Sequence, residues 1–185
     1  LYLCALAAAE RLRLLSPDEM AGRMEETLAT LEQLPKWRGH LYNWYDTRTL
    51  SPLEPPFVSS VDSGNLAACL LTCAQGVRVL LPQLSACFHS LAARMDALAE
   101  SMRFDALYDG EADLFRIGVH PMQETSSDGH YDLLASESRL LSFVAIMLGQ
   151  VPVRHWFRLG RLYTRVPGGG QALISSNGTL FEYLM

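Results

Sequence analysis

Three acidic residues stand beside the residue types that sugar ligands and general acids use. Asp62 lies in SSVDSGNLAAC, with Ser63 and Asn65 close to it. As an N-cap, Asp62 would accept hydrogen bonds from backbone N–H groups at a helix start. As a ligand, it would bind sugar hydroxyls at the N-terminus of that helix. The two roles are compatible, and the spacing alone favours the cap.

Glu137 lies in YDLLASESRLLSFVAIMLG, which predicts one helix over 131–148. On that helix Asp132, Ser136 and Arg139 would share a polar stripe, whereas Glu137 would lie on the apolar face. A carboxylate there is costly unless it is paired. The pattern therefore leaves open a buried ion pair and a pKa-shifted acid or sugar ligand.

Glu182 lies in TLFEYLM, between a phenylalanine and a tyrosine. Apolar surroundings raise the pKa of a carboxyl group, and a general acid needs a pKa near neutral pH. A structural glutamate is the commoner interpretation of such an isolated position. Glu182 is nevertheless the first candidate for an acid/base.

An irregular, aromatic segment covers residues 36–61, where three prolines exclude a helix. Aromatic faces with neighbouring acids and amides suit pyranose rings, whose C–H faces stack while their hydroxyls form hydrogen bonds. The candidates for such contacts are Trp37, Tyr42, Trp44 and Tyr45, with Asp46 beside them. The same aromatic side chains could also belong to the core.

The elements that position these residues are mostly helices. A helix over 1–15 is followed by a second one that Ser16 caps and Pro35 ends, and these form a lead-in segment. Further helices are predicted over 62–81, 82–102 and 131–148, with a hairpin around Asp109-Gly110, a loop over 121–129 and short strands over 155–166 and 171–178. Helices joined by long loops favour a helical toroid over a compact bundle.

Composition narrows the function further. The 185 residues are 49% hydrophobic and 19% charged, with a net charge of −5, which argues weakly against nucleic-acid binding. Four cysteines and the scattered histidines show no metal-ligand spacing, so free thiols are predicted, with no metal and no cofactor. The chain starts without Met and stops inside an apolar run, so we expect an internal piece of a longer protein that self-associates when isolated.

Four blocks then carry a resemblance: GHLYNWYDTRTLSPLEPPFVSSVDSGNLAACLLTCAQG, YDLLASESRL, VPVRHWFRLGR and SSNGTLFEYLM. In this order they resemble the glycoamylase-like domain of cyclic β-1,2-glucan synthases, over residues 36–185. The resemblance implies the N-terminal part of an (α/α)6 barrel, mainly α with small β-hairpin excursions, after a helical lead-in over 1–35. It also implies a parent protein at the cytoplasmic face of a bacterial inner membrane, without direct membrane contact by this segment.

The implied activity is transglycosylation, in which a linear β-1,2-glucan is cut and rejoined as a ring. Glu182 is then the candidate acid/base, and a second catalytic carboxylate is expected beyond residue 185. The implied glucan ligands are Trp44, Tyr45, Asp46, Asp62, Ser63, Asn65, Asp132 and Glu137. The alternatives are an endo-β-1,2-glucanase, which would use water as acceptor, and a non-catalytic glucan-binding domain. The segment alone is expected to be inactive.

Overall fold

The computed structural model describes residues 1–80, 86–122, 125–126 and 129–184. Its helices are α1 (Tyr2–Arg11), α2 (Pro17–Gln33), α3 (Ser60–Leu80), α4 (Ala86–Glu100), α5 (Arg139–Met147), α6 (Arg154–Arg158) and α7 (Leu180–Leu184). Its strands are β1 (Lys36–Trp37), β2 (His40–Leu41), β3 (Val58–Ser59), β4 (Tyr108–Asp109), β5 (Leu114–Arg116), β6 (Gly118–His120), β7 (Thr125–Ser126), β8 (His130–Tyr131), β9 (Tyr163–Arg165) and β10 (Gln171–Leu173). Helices with small sheets are what the sequence predicts.

The strands form small antiparallel sheets with the orders β1-β2, β9-β10, β3-β6-β7 and β4-β5-β8. The predicted hairpin around Asp109-Gly110 is present as β4 and β5, with Tyr108 opposite Phe115. None of the helices in the described ranges has the length and apolar character needed to cross a bilayer.

Helix α2 begins as its sequence predicts. The Ser16 hydroxyl accepts from the Glu19 N–H, and the Glu19 carboxylate accepts from the Ser16 N–H at 2.9 Å, which makes a capping box. Met20, Met24 and Leu28 follow at four-residue steps and are fully buried. Each such side chain contributes roughly 1.5–3 kcal/mol by leaving water.

Helix α3 is the central element, because it packs against α1, α4 and α5. Leu3 of α1, Met24 of α2, Leu70 of α3 and Leu91 of α4 belong to one buried hydrophobic cluster. The lead-in over residues 1–35 therefore shares its core with the rest of the chain. The domain boundary at residue 35 stays a prediction.

The predicted helix over 131–148 is wrong at its start, because α5 begins only at Arg139. The preceding segment pairs with another part of the chain: the Leu134 N–H donates to the Gly160 carbonyl, and the Gly160 N–H donates to the Asp132 carbonyl at 2.7 Å. Backbone groups used in this way cannot form helical hydrogen bonds. The polar stripe of Asp132, Ser136 and Arg139 therefore does not exist.

Two smaller predictions also differ from the structure. Residues 155–158, expected in a strand, lie in α6, and the expected loop over 121–129 contains β7. The predicted helix start at Pro82 lies outside the described residues, which show α4 from Ala86 onward. The strands on either side of Gly168–Gly170 are present as β9 and β10.

Candidate functional site

A glycine in the first turns of α3 brings α5 unusually close. A Cβ atom at Gly64 would lie 2.5 Å from Leu141 Cβ and 2.6 Å from Leu141 Cα, so only glycine fits there without a shift of the helix. Glu137 lies two residues before α5, and Asp62 lies two residues before Gly64. The close approach therefore places the Glu137 turn against the first turn of α3.

The predicted N-cap role of Asp62 is wrong. Helix α3 starts at Ser60, and the hydroxyl of Ser59 accepts the Asp62 N–H at 3.2 Å. Because the Ser59 hydroxyl accepts this N–H at the start of α3, the Asp62 carboxylate does not act as the cap. It is exposed at the surface. It accepts a hydrogen bond from Asn43 Nδ2 at 3.4 Å.

Asn43 is a residue that the sequence analysis did not include among the ligands. Its Oδ1 accepts the Ser59 N–H at 3.0 Å, and its own N–H donates to the Phe57 carbonyl at 2.9 Å. The side chain thus fixes the aromatic segment against the start of α3 while its amide faces Asp62. Its position beside Trp44 and Asp46 was the signal that could have identified it.

A pocket of about 190 Å³ opens at this junction. Ser63 contributes to its wall and donates its hydroxyl hydrogen to the Ser59 carbonyl at 2.8 Å. The pocket, called the acidic pocket from here on, is lined by Leu41, Tyr42, Asn43, Asp62, Ser63 and Leu66. Asn65, also predicted as a ligand, has a buried Oδ1 without a hydrogen-bond partner among the described residues.

Glu137 and Tyr131 are not among the residues that line the acidic pocket, but both lie close enough to Asp62 for its charge to affect their pKa values. Burial raises the pKa of Glu137, and the negative charges of Asp62 and Glu182 raise it further. Burial also raises the pKa of Tyr131 to about 12, with additional contributions from Glu137 and Asp62. Within the described ranges no hydrogen bond donor satisfies the Glu137 carboxylate. Tyr131 is a second site residue that the sequence analysis missed.

Glu182 differs from the prediction of a raised pKa. Its side chain is 1% exposed, and its carboxylate accepts hydrogen bonds from the Asn177 N–H at 2.9 Å and the Thr179 N–H at 3.2 Å. Burial, the largest single influence, raises the pKa of Glu182, but the hydrogen bonds from Thr179 and Asn177 together lower it below its ordinary value. Glu182 is thus held as a carboxylate by the turn that precedes α7.

Two of the predicted aromatic-segment ligands hold the segment itself. The Tyr45 hydroxyl donates to the Pro35 carbonyl at 2.7 Å and accepts the Tyr42 N–H. The Asp46 carboxylate accepts the backbone N–H groups of Arg48 and Thr49 at 2.8 and 2.9 Å, and these bonds lower the pKa of Asp46.

Trp44 and Asp132 lie apart from the acidic pocket. Trp44 is 60% exposed and lines a different pocket, and Asp132 is an exposed side chain ahead of the Glu137 turn. The structure therefore brings Asp62 and Ser63 together in one pocket, places Glu137 close enough for the charge of Asp62 to raise its pKa, and puts Trp44 in a different pocket. In the described part of the chain no group of three His, Cys, Asp or Glu side chains could hold a metal ion.

Comparison with a curated protein supports the resemblance seen in the sequence. The cyclic beta-(1,2)-glucan synthase NdvB of Rhizobium meliloti (strain 1021) is 27% identical in an alignment that covers all of this chain and 11% of that protein. The similarity confirms the resemblance to cyclic β-1,2-glucan synthases, and this chain spans only 11% of the length of that relative.

Two solved structures share the fold. A candidate glucoamylase from Bacteroides fragilis NCTC 9343 matches with a TM-score of 0.75 and 18% identity, over 96% of this chain and 44% of that chain. The endo-beta-1,2-glucanase of Chitinophaga pinensis, solved with sophorotriose and glucose, matches with a TM-score of 0.72 and 16% identity over the same shares. The chain thus spans less than half of each solved relative.

A family model extends across the boundary between the lead-in and the aromatic segment. It matches residues 1–110, which include α1 to α4, Asp62 and the acidic pocket. The chain belongs to the family described as proteins of unknown function DUF3131.

Proposed function

We propose that this chain is part of a domain that binds linear β-1,2-glucan, cleaves it and rejoins the piece as a ring by transglycosylation. One observation carries the proposal: the close contact between Gly64 and Leu141 brings the turn that holds Glu137, a half-buried acid with a raised pKa, near the start of α3, where Asp62 lines the acidic pocket. The similarity to a cyclic β-1,2-glucan synthase and the fold shared with an endo-β-1,2-glucanase support this substrate class.

Glu137 suits the role of general acid better than Glu182 does. A raised pKa keeps the proton on Glu137 to higher pH, and a general acid must carry a proton to donate to the leaving oxygen. Glu182 was the acid/base candidate from the sequence, but its carboxylate oxygens already accept hydrogen bonds. We assign Glu182 to supporting the site and to raising the pKa of Glu137 through its charge.

The remaining groups of the pocket would hold the sugar. The exposed Asp62 carboxylate would accept hydrogen bonds from sugar hydroxyls, and the Asn43 amide, which also lines the pocket, would donate to them. A retaining transfer needs a second carboxylate about 5–5.5 Å from the acid to act as nucleophile. We expect that group beyond residue 185, in the part of the solved relatives that this chain does not cover.

The architecture and location follow as parts of the same proposal. Residues 36–185 would form the N-terminal portion of an (α/α)6 barrel, preceded by the lead-in of residues 1–35. The parent protein would lie at the cytoplasmic face of a bacterial inner membrane, with the rest of its polypeptide completing the barrel. The segment alone is expected to bind poorly and to be inactive.

The test is product analysis with the natural full-length protein. Linear β-1,2-glucan is incubated with it, and the products are examined by mass spectrometry, in which a ring is lighter than the linear chain of the same length by one water. A linear β-1,3-glucan serves as the control substrate and should remain intact. Rings support the proposal, short linear products would replace it with hydrolysis, and an unchanged substrate would leave only a binding role.

A further inference from the structure

The aromatic segment forms a second pocket that shares no residue with the acidic pocket. Its volume is about 450 Å³, within the range of small-ligand sites. It is called the tryptophan pocket here, and its lining consists of Trp44, Leu53, Glu54, Pro55, Phe57 and His120. Trp44 leaves 60% of its surface exposed there.

The backbone around Trp44 is held in place by the segment's own hydrogen bonds. The Leu53 N–H donates to the Trp44 carbonyl at 3.0 Å, and the Asp46 N–H donates to the Ser51 carbonyl at 2.9 Å. Asp46 closes the intervening turn with its carboxylate. A large aromatic ring on such a support loses little conformational entropy when a ligand covers it.

Phe57 and His120 make a second aromatic surface of the pocket. Their ring centroids are 4.8 Å apart, and His120 Nδ1 lies 3.3 Å from the Pro56 carbonyl. Gly118 allows this arrangement, because a Cβ atom there would lie 2.5 Å from the Val58 carbonyl oxygen and would overlap the Phe57 ring. The pairing of β3 with β6 thus fixes Phe57 beside His120.

The side chains that line the tryptophan pocket suit a neutral sugar. Aromatic faces stack on the C–H faces of a pyranose, and the Glu54 carboxylate accepts hydrogen bonds from its hydroxyls. Among the described residues that line the pocket none is Lys or Arg, and Glu54 repels anions, so a phosphate or carboxylate ligand is disfavoured.

We propose that the tryptophan pocket is a second saccharide site, which holds a glucose unit of β-1,2-glucan apart from the acidic pocket. The two pockets are joined through consecutive residues, since Asn43 lines one and Trp44 lines the other. The identity of the sugar rests on the proposed function, whereas the existence of a saccharide site rests on the lining.

The test measures binding in the full-length protein with Glu137→Gln present, so that the glucan is not consumed. Affinities for linear β-1,2-glucan and for sophorotriose are compared by calorimetry in this background and after adding Trp44→Ala, Trp44→Phe or Phe157→Ala. Phe157 is the matched control, because it is 75% exposed on α6 and belongs to neither pocket.

Trp44→Ala should weaken the binding of the long glucan about tenfold, the usual size of one aromatic stacking contact. Trp44→Phe should retain most of the affinity, and Phe157→Ala should retain all of it, with unfolding temperatures unchanged throughout. Equal affinity in Trp44→Ala and Phe157→Ala would overturn the second site. A failure of the proposed function would be seen in a different assay. The natural full-length protein, with Glu137 unchanged, would then leave linear β-1,2-glucan unprocessed.

Discussion

Glu137 and Glu182 lie in neighbouring regions, and their environments shift the pKa in opposite directions. Burial is the largest influence on both, and it acts to raise the pKa in each case. At Glu182, which is 1% exposed, hydrogen bonds outweigh that influence, whereas Glu137 has none from the described residues. The supply of hydrogen-bond donors, and not the depth of burial, decides whether the pKa of each glutamate is raised or lowered.

The donors at Glu182 come from one tight turn. Gly178 has a φ of 68°, a left-handed conformation that glycine adopts without strain, and this turns the N–H groups on both sides of it toward the carboxylate. The Glu137 turn has no such feature, and Ser138 makes no side-chain cap hydrogen bond at the start of α5. The same type of side chain thus has a raised pKa in one turn and a lowered pKa in the other.

The largest effect should follow Glu137→Gln, which removes the proton donor and keeps the shape of the side chain. In the full-length protein we expect a loss of at least about 100-fold in kcat on linear β-1,2-glucan, the lower range for general acid catalysis. The rate of product formation at saturating glucan measures it.

Glu111→Gln is the control, since Glu111 is exposed in the turn between β4 and β5. The unfolding temperature of Glu137→Gln at neutral pH should equal or exceed that of the parent. A raised pKa means that ionising Glu137 destabilises the folded state above its ordinary pKa of 4.5, and the amide removes this cost. Retention of more than a tenth of the turnover would remove Glu137 from the role of acid.

Gly64→Ala should move the Glu137 turn away from α3, because Leu141 fills the space that the new methyl group needs. The added methyl group overlaps Leu141, and we expect a loss of about 1–3 kcal/mol in the free energy of unfolding, as for other overpacked sites. Denaturant unfolding of the full-length protein measures this change.

Gly76→Ala is the matched control in the same helix, because a Cβ atom at Gly76 would contact nothing within 4 Å. It should stabilise the protein by about 0.5–1 kcal/mol through the higher helix propensity of alanine. If both substitutions stabilised the protein, the close contact between α3 and α5 would not be what positions the Glu137 turn.

Glu182→Gln should affect stability, because the amide replaces a charged acceptor of several hydrogen bonds. We expect a loss of about 1–2 kcal/mol at pH 7, measured by denaturant unfolding of the full-length protein. The pKa of Glu182 is lowered, so its contribution is present above its ordinary value of 4.5 and is lost as pH falls through the folded-state pKa.

The difference in the free energy of unfolding between Glu182→Gln and the unsubstituted protein should therefore shrink as pH falls below about 4. A difference that stays constant with pH would exclude the ionised carboxylate as its source. A large kcat loss without a stability loss would restore Glu182 as the catalytic acid.

The sequence predicted most helices and two residues of the acidic pocket, Asp62 and Ser63, because these follow from local signals. The capping box of Ser16 and Glu19, the four-residue apolar spacing of α2 and the hairpin at Asp109-Gly110 involve residues close in the chain. Asp62 and Glu137 were recognised from their neighbours alone. What joins them, the fit of Gly64 against Leu141, connects residues far apart in sequence and leaves no local pattern.

The error at the start of α5 has the same origin, whereas the error at Glu182 concerns residues close in the chain. The segment before α5 has a helical apolar pattern, yet its backbone hydrogen bonds go to Gly160, which the pattern cannot reveal. Glu182 has apolar neighbours in sequence, yet its hydrogen-bond donors come from the turn before its own helix. Burial could be estimated from sequence, but the partners that decide protonation could not.

The smallest effect should come from Asp62, which changes Glu137 through its charge. The negative charge of Asp62 raises the pKa of Glu137, so Asp62→Asn should lower that pKa and leave the acid less protonated at a given pH. Activity that needs protonated Glu137 is lost on the alkaline side, so the alkaline limb of kcat should move to lower pH. A pH profile of kcat on linear β-1,2-glucan measures the shift.

Asp62→Ala separates this charge effect from a structural one. Because Ser59, and not Asp62, caps α3, the unfolding temperature should barely change, while glucan binding weakens by about two- to tenfold through the lost hydrogen bond to a sugar hydroxyl. A clear fall in unfolding temperature would mean that the carboxylate stabilises the helix start after all. An unchanged alkaline limb in Asp62→Asn would mean that the charge of Asp62 does not raise the pKa of Glu137. The opposite pKa shifts of Glu137 and Glu182 would then depend on hydrogen-bond donors, and the charge of Asp62 would not contribute.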